Sequence, residues 1–173
     1  MRKLVLQLAV SLDGRIEGPN GEYDWCFVDQ DYGMSDFLKR IDAVFMGRKS
    51  YELVQSMGSE GMPKQGMTEY IFSTTLDQVK PGAILIKDEI ESNIRKIKNE
   101  PGKDIWLFGG SKLTSSLLDL GLVDEIILAV HPIILGSGKP MVNDIRDRIA
   151  LKLVGHQTYS TGMVMLTYEI QKP

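Results

Sequence analysis

The sequence predicts an α/β protein in three layers: a mainly parallel central sheet with helices on both faces, closed by a C-terminal β-hairpin. Three observations lead there. Apolar runs of strand length alternate along the chain with segments whose apolar residues recur at helical spacing. Most of these runs are apolar without interruption, as strands covered on both faces are. The last two runs meet across Ser160, Thr161 and Gly162, a turn sequence, so they pair as a hairpin. With 173 residues, 43% hydrophobic and 25% charged, the chain can fill one core, and a single domain over 1–173 is expected.

Taken in order, residues 3–11 (KLVLQLAVS) are too short for a buried helix and apolar on both faces, which marks a central strand. The stretch from there to residue 33 is crowded with Gly, Pro, Asn and Asp, yet carries Ile16, Trp25 and Phe27. It reads as a long loop with side chains to dock, a kind that is commonly functional. A short helix over about 32–40 leads to a strand at 42–47 (DAVFMG) and a helix over 48–57, where Leu53, Val54 and Met57 offer a packing face. A polar connection over 58–66 precedes strands at 69–74 (EYIFST) and 83–87 (AILIK). Ile90, Ile94 and Ile97 give the helix at 89–98 an apolar stripe. A strand at 103–110 (KDIWLFGG), a helix at 112–120 and a strand at 124–131 (DEIILAVH) follow, and the hairpin strands cover about 151–159 and 162–171.

Several function classes drop out. A formal net charge of −3 gives no footprint for a nucleic-acid partner, which calls for a basic face. Cys26 is the single cysteine, so no internal disulfide forms, and the N-terminal stretch meets Asp13 and Arg15 too early for a signal peptide or a membrane span. A cytoplasmic protein without membrane contact is expected. His131 and His156 stand apart and Cys26 has no partner, so no metal site is expected. LGSGKP (135–140) lacks the leading glycine and the final Ser/Thr of a phosphate-binding P-loop and reads as a tight turn. Neither G-x-S-x-G nor a G-x-G-x-x-G after the first strand is present, which removes the usual supports for a serine hydrolase and a standard dinucleotide fold.

Two strand-to-helix junctions remain. In FMGRKSYE, Gly47 ends a strand, Arg48 and Lys49 put two cations at the turn, and Ser50 is available to cap the helix. In IWLFGGSKL, a strand ends at Gly109-Gly110 and opens into Ser111, Lys112, Leu113 and Thr114. Either junction alone reads as an ordinary turn with solvated charges. Together they suit a ligand with several phosphates, because each helix start offers bare N–H groups and a positive dipole end. A dinucleotide has that shape.

SLDGRI (11–16), DAVFMGRKSYE (42–52), FST (72–74), IWLFGGSKL (105–113) and LVDEIILAVHPIILGSGKP (122–140), in this order, resemble the dihydrofolate reductase superfamily. The resemblance is to the branch holding the reductase domain of the bifunctional riboflavin-biosynthesis deaminase-reductase and its stand-alone relatives, and it spans nearly the whole chain. It implies a dihydrofolate reductase-like fold and NADPH as cofactor. Gly47, Arg48, Lys49 and Ser50 match the helix start at the cofactor phosphates, with Arg48 and Lys49 suited to the adenosine 2′-phosphate. Ser73 and Thr74 match the segment along the adenosine; Gly109, Gly110, Ser111, Lys112, Leu113 and Thr114 match the segment around the pyrophosphate, where a cis Gly-Gly peptide is implied. Ala9 and Ile16 match positions that flank the nicotinamide.

The substrate end departs from the resemblance. An alignment through Lys39-Arg40 puts Met34 where dihydrofolate reductase has a carboxylate for its pterin, with Asp31 and Asp36 near. The segment 58–72 (GSEGMPKQGMTEYIF) carries no D-x-P-x-L-x-x-R pattern for a ribose phosphate. Trp25, Asp31 and Tyr51 are the candidates for the substrate pocket, because the long loop and the first turn of the second helix should face the nicotinamide. No catalytic side chain is identified. The resulting expectation is an NADPH-dependent reductase that passes hydride to a small heterocycle or ribosylamine, as the reductase of riboflavin biosynthesis does. A reductase of another pterin-like or carbonyl substrate and a non-catalytic nucleotide-binding relative stand as alternatives. The family also implies a homodimer, which the apolar run DEIILAVH could support.

Overall fold

Side chains of a strand alternate between its two faces, so a strand apolar at every position needs cover on both. The computed structural model, which describes residues 1–58 and 66–171, meets that need. Its elements are β1 (Leu4–Ser11), β2 (Arg15–Glu17), α1 (Met34–Lys39), β3 (Ile41–Gly47), α2 (Arg48–Ser56), β4 (Thr68–Phe72), β5 (Ile84–Ile86), α3 (Ile90–Asn99), β6 (Asp104–Gly109), α4 (Ser111–Asp119), β7 (Glu125–His131), β8 (Lys139–Pro140), β9 (Leu151–Thr158) and β10 (Val164–Ile170). Eight strands form one sheet in the order β5-β4-β3-β6-β1-β7-β10-β9, which puts β1 near its centre. Pairing is parallel from β5 to β7; β10 runs antiparallel to both β7 and β9, which makes the C-terminal hairpin.

The alternation splits the core in two. Leu4, Leu6, Phe45, Ile105 and Leu107 pack on one face with Ile94 of α3 and Leu117 of α4. Val5, Val44, Met46 and Trp106 pack on the other with Phe37 of α1 and Val54 of α2. Each fully buried aliphatic side chain contributes about 1.5–3 kcal/mol, so the two faces together fix the register of every parallel strand.

The N-terminal edge of the sheet is closed by charge pairs. Arg40 donates to Asp104 at 2.7 Å and to Glu125 at 2.8 Å, and Lys3 reaches the same Glu125 at 3.3 Å. Arg2 pairs with Asp42, and buried Lys98 pairs with Asp124 while donating to the Leu122 carbonyl at 2.7 Å.

The structure departs from the sequence expectation at several points. β2 and β8 pair as a separate two-stranded ribbon where a loop and a tight turn were expected. Strands of three and two residues carry no alternation to read. β4 ends at Phe72, so Ser73 and Thr74 follow the strand instead of closing it, and α4 starts at Ser111. β7, expected as a dimerising strand, lies inside the sheet between β1 and β10; the outer strand on that side is β9. Most of the polar connection at 58–66 lies outside the described residues.

Candidate functional site

In a parallel sheet ligands bind beyond the C-terminal strand ends, and here the register brings both glycine junctions to that edge. Met46 pairs with Gly109 and Gly47 pairs with Phe72, so the starts of α2 and α4 lie side by side, with Ser73 and Thr74 one strand further out. A Cβ placed on Gly47 would lie 3.8 Å from the Gly109 carbonyl oxygen. Gly47 and Gly110 are the N-caps of α2 and α4, and among the described residues neither helix receives a side-chain cap. The first-turn N–H groups of both are therefore free to meet an anion. Ser50, expected as a possible cap, sits inside α2; its Oγ lies 3.4 Å from where a Cβ on Gly110 would stand.

Two hydroxyls mark the centre of this cradle. Ser111 and Thr114 are 2% and 1% exposed, and the hydroxyl oxygen of each finds no hydrogen-bond partner among the described residues. Thr114 Oγ1 would lie 3.5 Å from a Cβ on Gly109, whose φ of +106° favours glycine. A buried unpaired hydroxyl costs about 1–3 kcal/mol, which a ligand oxygen would recover. The Gly109-Gly110 peptide is cis. The two helix starts and the two buried hydroxyls fit the diphosphate of a dinucleotide. Arg48 and Lys49 are exposed, and Arg48 holds Glu52 at 3.3 Å, a solvent-exposed pair that a phosphate can displace. Ser73 Oγ accepts from the Thr75 and Leu76 amides at 3.2 and 3.1 Å, while Thr74 and Lys112 are exposed. Leu113 packs against the core, Ala9 faces Ala129 across β1 and β7, and Ile16 lies half-buried in β2.

The other side of the edge is aromatic and hangs on a residue that sequence reading passed over. His131 is 3% exposed; its Nδ1 lies 2.9 Å from the Ala129 carbonyl oxygen, and its Nε2 accepts from the Phe27 amide at 3.1 Å. The carbonyl fixes the tautomer, since Nδ1 must carry the proton. Trp25 and Phe27 pack on the imidazole at 5.3 and 4.9 Å between ring centroids, and Tyr32 meets Tyr159 at 4.9 Å. The Trp25 Nε1–H is buried without a partner among the described residues.

Of the three substrate candidates, Trp25 alone joins this cluster. Asp31 is exposed and accepts from the Ser35 hydroxyl at 2.6 Å and the Ser35 amide at 3.0 Å, so its carboxyl is held below its ordinary range, the hydroxyl acting most. Tyr51 is buried in the core between the sheet and α1–α2, where its phenol oxygen accepts from the Lys80 amide at 2.9 Å.

Asp13, within SLDGRI, was also passed over. Its carboxylate accepts from the Ser11 hydroxyl at 2.7 Å and from the Leu135 and Gly136 amides at 3.0 and 2.9 Å, tying the loop after β1 to the loop after β7. The Ser11 hydroxyl and then the Leu135 amide bring its pKa down to about 2. Burial, and secondarily Asp24, pushes the Cys26 thiol up to about 11, so it is not a nucleophile near neutrality. A histidine before a proline and an aspartate two residues after a strand serine were the available signals for His131 and Asp13. Neither has a meaning until the partner loop is in place.

The comparisons with known proteins give the family and the fold. A model of the RibD C-terminal domain matches residues 2–165. The chain belongs to that family. Uncharacterized protein YyaP of Bacillus subtilis (strain 168) is 43% identical over 181 residues, covering 96% of this chain and 94% of the relative. A crystal structure of a Shewanella sp. PV-4 protein described under riboflavin biosynthesis superimposes with a TM-score of 0.88 at 22% identity, covering 98% of this chain and 99% of that one. Dihydrofolate reductase of Enterococcus faecalis, solved with NADP(H), superimposes with a TM-score of 0.71 at 15% identity over 98% and 97%. The fold is thus dihydrofolate reductase-like. Among the described residues no helix is long and apolar enough to cross a membrane.

Proposed function

We propose that the chain, as one reductase domain over 1–173, uses NADPH to reduce a small heterocyclic or ribosylamine substrate. The observation that carries this reading is the pair of helix starts at one sheet edge, uncapped and with the buried Ser111 and Thr114 hydroxyls left without partners among the described residues. Gly47, Ser50 and Gly109 through Thr114 would hold the diphosphate; Arg48 and Lys49, the 2′-phosphate; Ser73 and Thr74, the adenosine; Ala9 and Ile16, the nicotinamide. When bound, the nicotinamide supplies a hydride to an electrophilic C=N or C=O carbon. The chain's part is to align the two and exclude water, and Trp25 is the substrate-side contact with a free donor. Asp31 keeps a place at the pocket rim as an ionised group, and Tyr51 supports the wall from the core.

The proton comes from solvent. Asp13 and Asp31 are both held ionised, the Cys26 thiol holds its proton, and both nitrogens of His131 are engaged. A homodimer through the hairpin is supported by Leu151, Leu153 and Val154, which β9 leaves exposed at 42%, 48% and 47%. The protein acts in the cytoplasm, consistent with its unpaired cysteine.

The test is a titration with NADPH and with NADH, followed by quenching of the fluorescence of Trp25 and Trp106, on the wild type and on Arg48→Ala. The wild type should prefer NADPH, and the variant should lose about tenfold in NADPH affinity with NADH unchanged, as expected for one charge-assisted contact. Binding of neither nucleotide overturns the reading.

A further inference from the structure

The motif GSGKP, which reads as a turn, brings a cation to the cradle. Lys139 lies on β8, and its Nζ stands 4.0 Å from the position of a Cβ on Gly110, beside Ser50 Oγ at 3.4 Å from the same point. That point is the N-cap of α4, next to the Ser111 and Thr114 hydroxyls, which have no partner among the described residues. Lys139 is held there by Glu17 of β2, whose Oε1 accepts its proton at 2.8 Å. Both side chains are partly exposed, at 34% and 31%, so the pair can open without uncovering the core.

The ribbon that carries the pair is built for this placement. Glu17 pairs with Lys139 and Arg15 with Pro140, and Arg15 donates from Nη1 to the Gly138 carbonyl at 3.3 Å. The Met141 amide donates to the Gly14 carbonyl at 2.9 Å. Gly138 has a φ of +111°, and a Cβ there would stand 2.2 Å from the Glu17 carbonyl oxygen, so only glycine lets the two strands approach. The loop that carries Ile16 and the loop that carries Lys139 are thereby one mechanical unit.

We infer that Lys139 is a diphosphate-binding residue of the dinucleotide site and that Glu17 competes with the ligand for it. This rests on the cofactor reading above. An arriving diphosphate offers a stronger negative charge than one carboxylate, and it arrives where two helix starts already favour an anion. Lys139 then exchanges Glu17 for a phosphate oxygen, leaving Glu17 to solvent. Because β2 also carries Ile16, the exchange links filling of the diphosphate cradle to the strand proposed to cover the nicotinamide.

The experiment measures NADPH and NADH affinity of the full chain for the wild type, Lys139→Met and Glu17→Gln, with a thermal melt of each. Lys139→Met should weaken both nucleotides by a similar factor of about five to ten, since the diphosphate is common to them. Glu17→Gln should tighten both by about two- to threefold, because the competing charge is gone. A gain of affinity cannot come from misfolding. Wild-type binding with Lys139→Met unchanged overturns the lysine's role alone, and a loss confined to NADPH overturns its assignment to the diphosphate. If the wild type binds neither nucleotide, the cofactor reading falls and this proposal falls with it.

Discussion

The two edges of the central sheet are built from opposite solutions to the same problem. At the N-terminal edge the polar groups are matched: Arg40 and Lys3 converge on Glu125, Arg2 meets Asp42, and Lys98 meets Asp124. At the C-terminal edge, among the described residues, both helices start uncapped, and Ser111, Thr114 and Trp25 each bury a polar atom without a partner. The closed edge has its own exception, since Glu69 at the start of β4 pairs with Lys80 through one carboxylate oxygen and buries the other without a partner among the described residues, but its charges are paired. One edge holds the strands in register, and the other, on the proposed reading, takes the ligand. Stability and binding should therefore separate by edge.

Removing the buried carboxylate at the closed edge has the largest expected effect. Glu125→Ala removes the carboxylate that Arg40 and Lys3 share, leaving Arg40 on Asp104 and Lys3 on Glu169, and should lower stability by about 3 kcal/mol, less than a fully buried pair because Arg40 is partly exposed. A urea denaturation curve measures it, and nucleotide affinity at pre-transition urea should match the wild type. A large loss of affinity in a folded variant would break the separation. The reciprocal change is Gly109→Ala, which forces a side chain onto a φ of +106° and pushes toward Thr114. Strain of this kind costs about 1–3 kcal/mol, and the nucleotide should bind at least about tenfold more weakly. Unchanged binding would remove the double glycine from the site.

Within the open edge the aromatic loop should come loose on its own. His131→Leu deletes the acceptor of the Phe27 amide and should cost about 1–2 kcal/mol, with faster amide exchange confined to the loop around Trp25 and Phe27. Global loss of protection would mean that His131 supports the core instead. The smallest effect is one of pH. A carboxyl whose folded pKa is depressed contributes stability that is complete above its unfolded value of about 4 and disappears as pH falls through the folded value. Asp13 sits at about 2, so the exchange protection of the Leu135 and Gly136 amides should persist at pH 4 and fade toward 2. Fading already above the ordinary carboxylate range would show that Asp13 is not the clamp.

The same contrast explains what the sequence disclosed. Gly47, Gly109 and Gly110 were legible because a backbone cradle needs glycine at a strand end before a helix, a local pattern. The parallel sheet was legible because double-sided cover leaves continuous apolar runs. His131, Asp13 and Lys139 act on loops more than a hundred residues away, or on amides that any residue could supply, so no window of sequence reports them. Tyr51 shows the converse. Its place on the first turn of α2 suggested the pocket, yet the 3.6-residue period turns it to the core, where Lys80 takes its oxygen.

The most direct test of the division between edges is the amide spectrum of the wild-type chain during addition of NADPH. The account predicts shifts concentrated at residues 47–50, 73–74 and 109–114, with Lys139 and Glu17 following and Arg40, Asp104 and Glu125 unmoved. Shifts gathered instead around the open pocket between the end of α4 and the segment 146–150, lined by Asp119, Arg146 and Arg148, would contradict it, as would no shift at all.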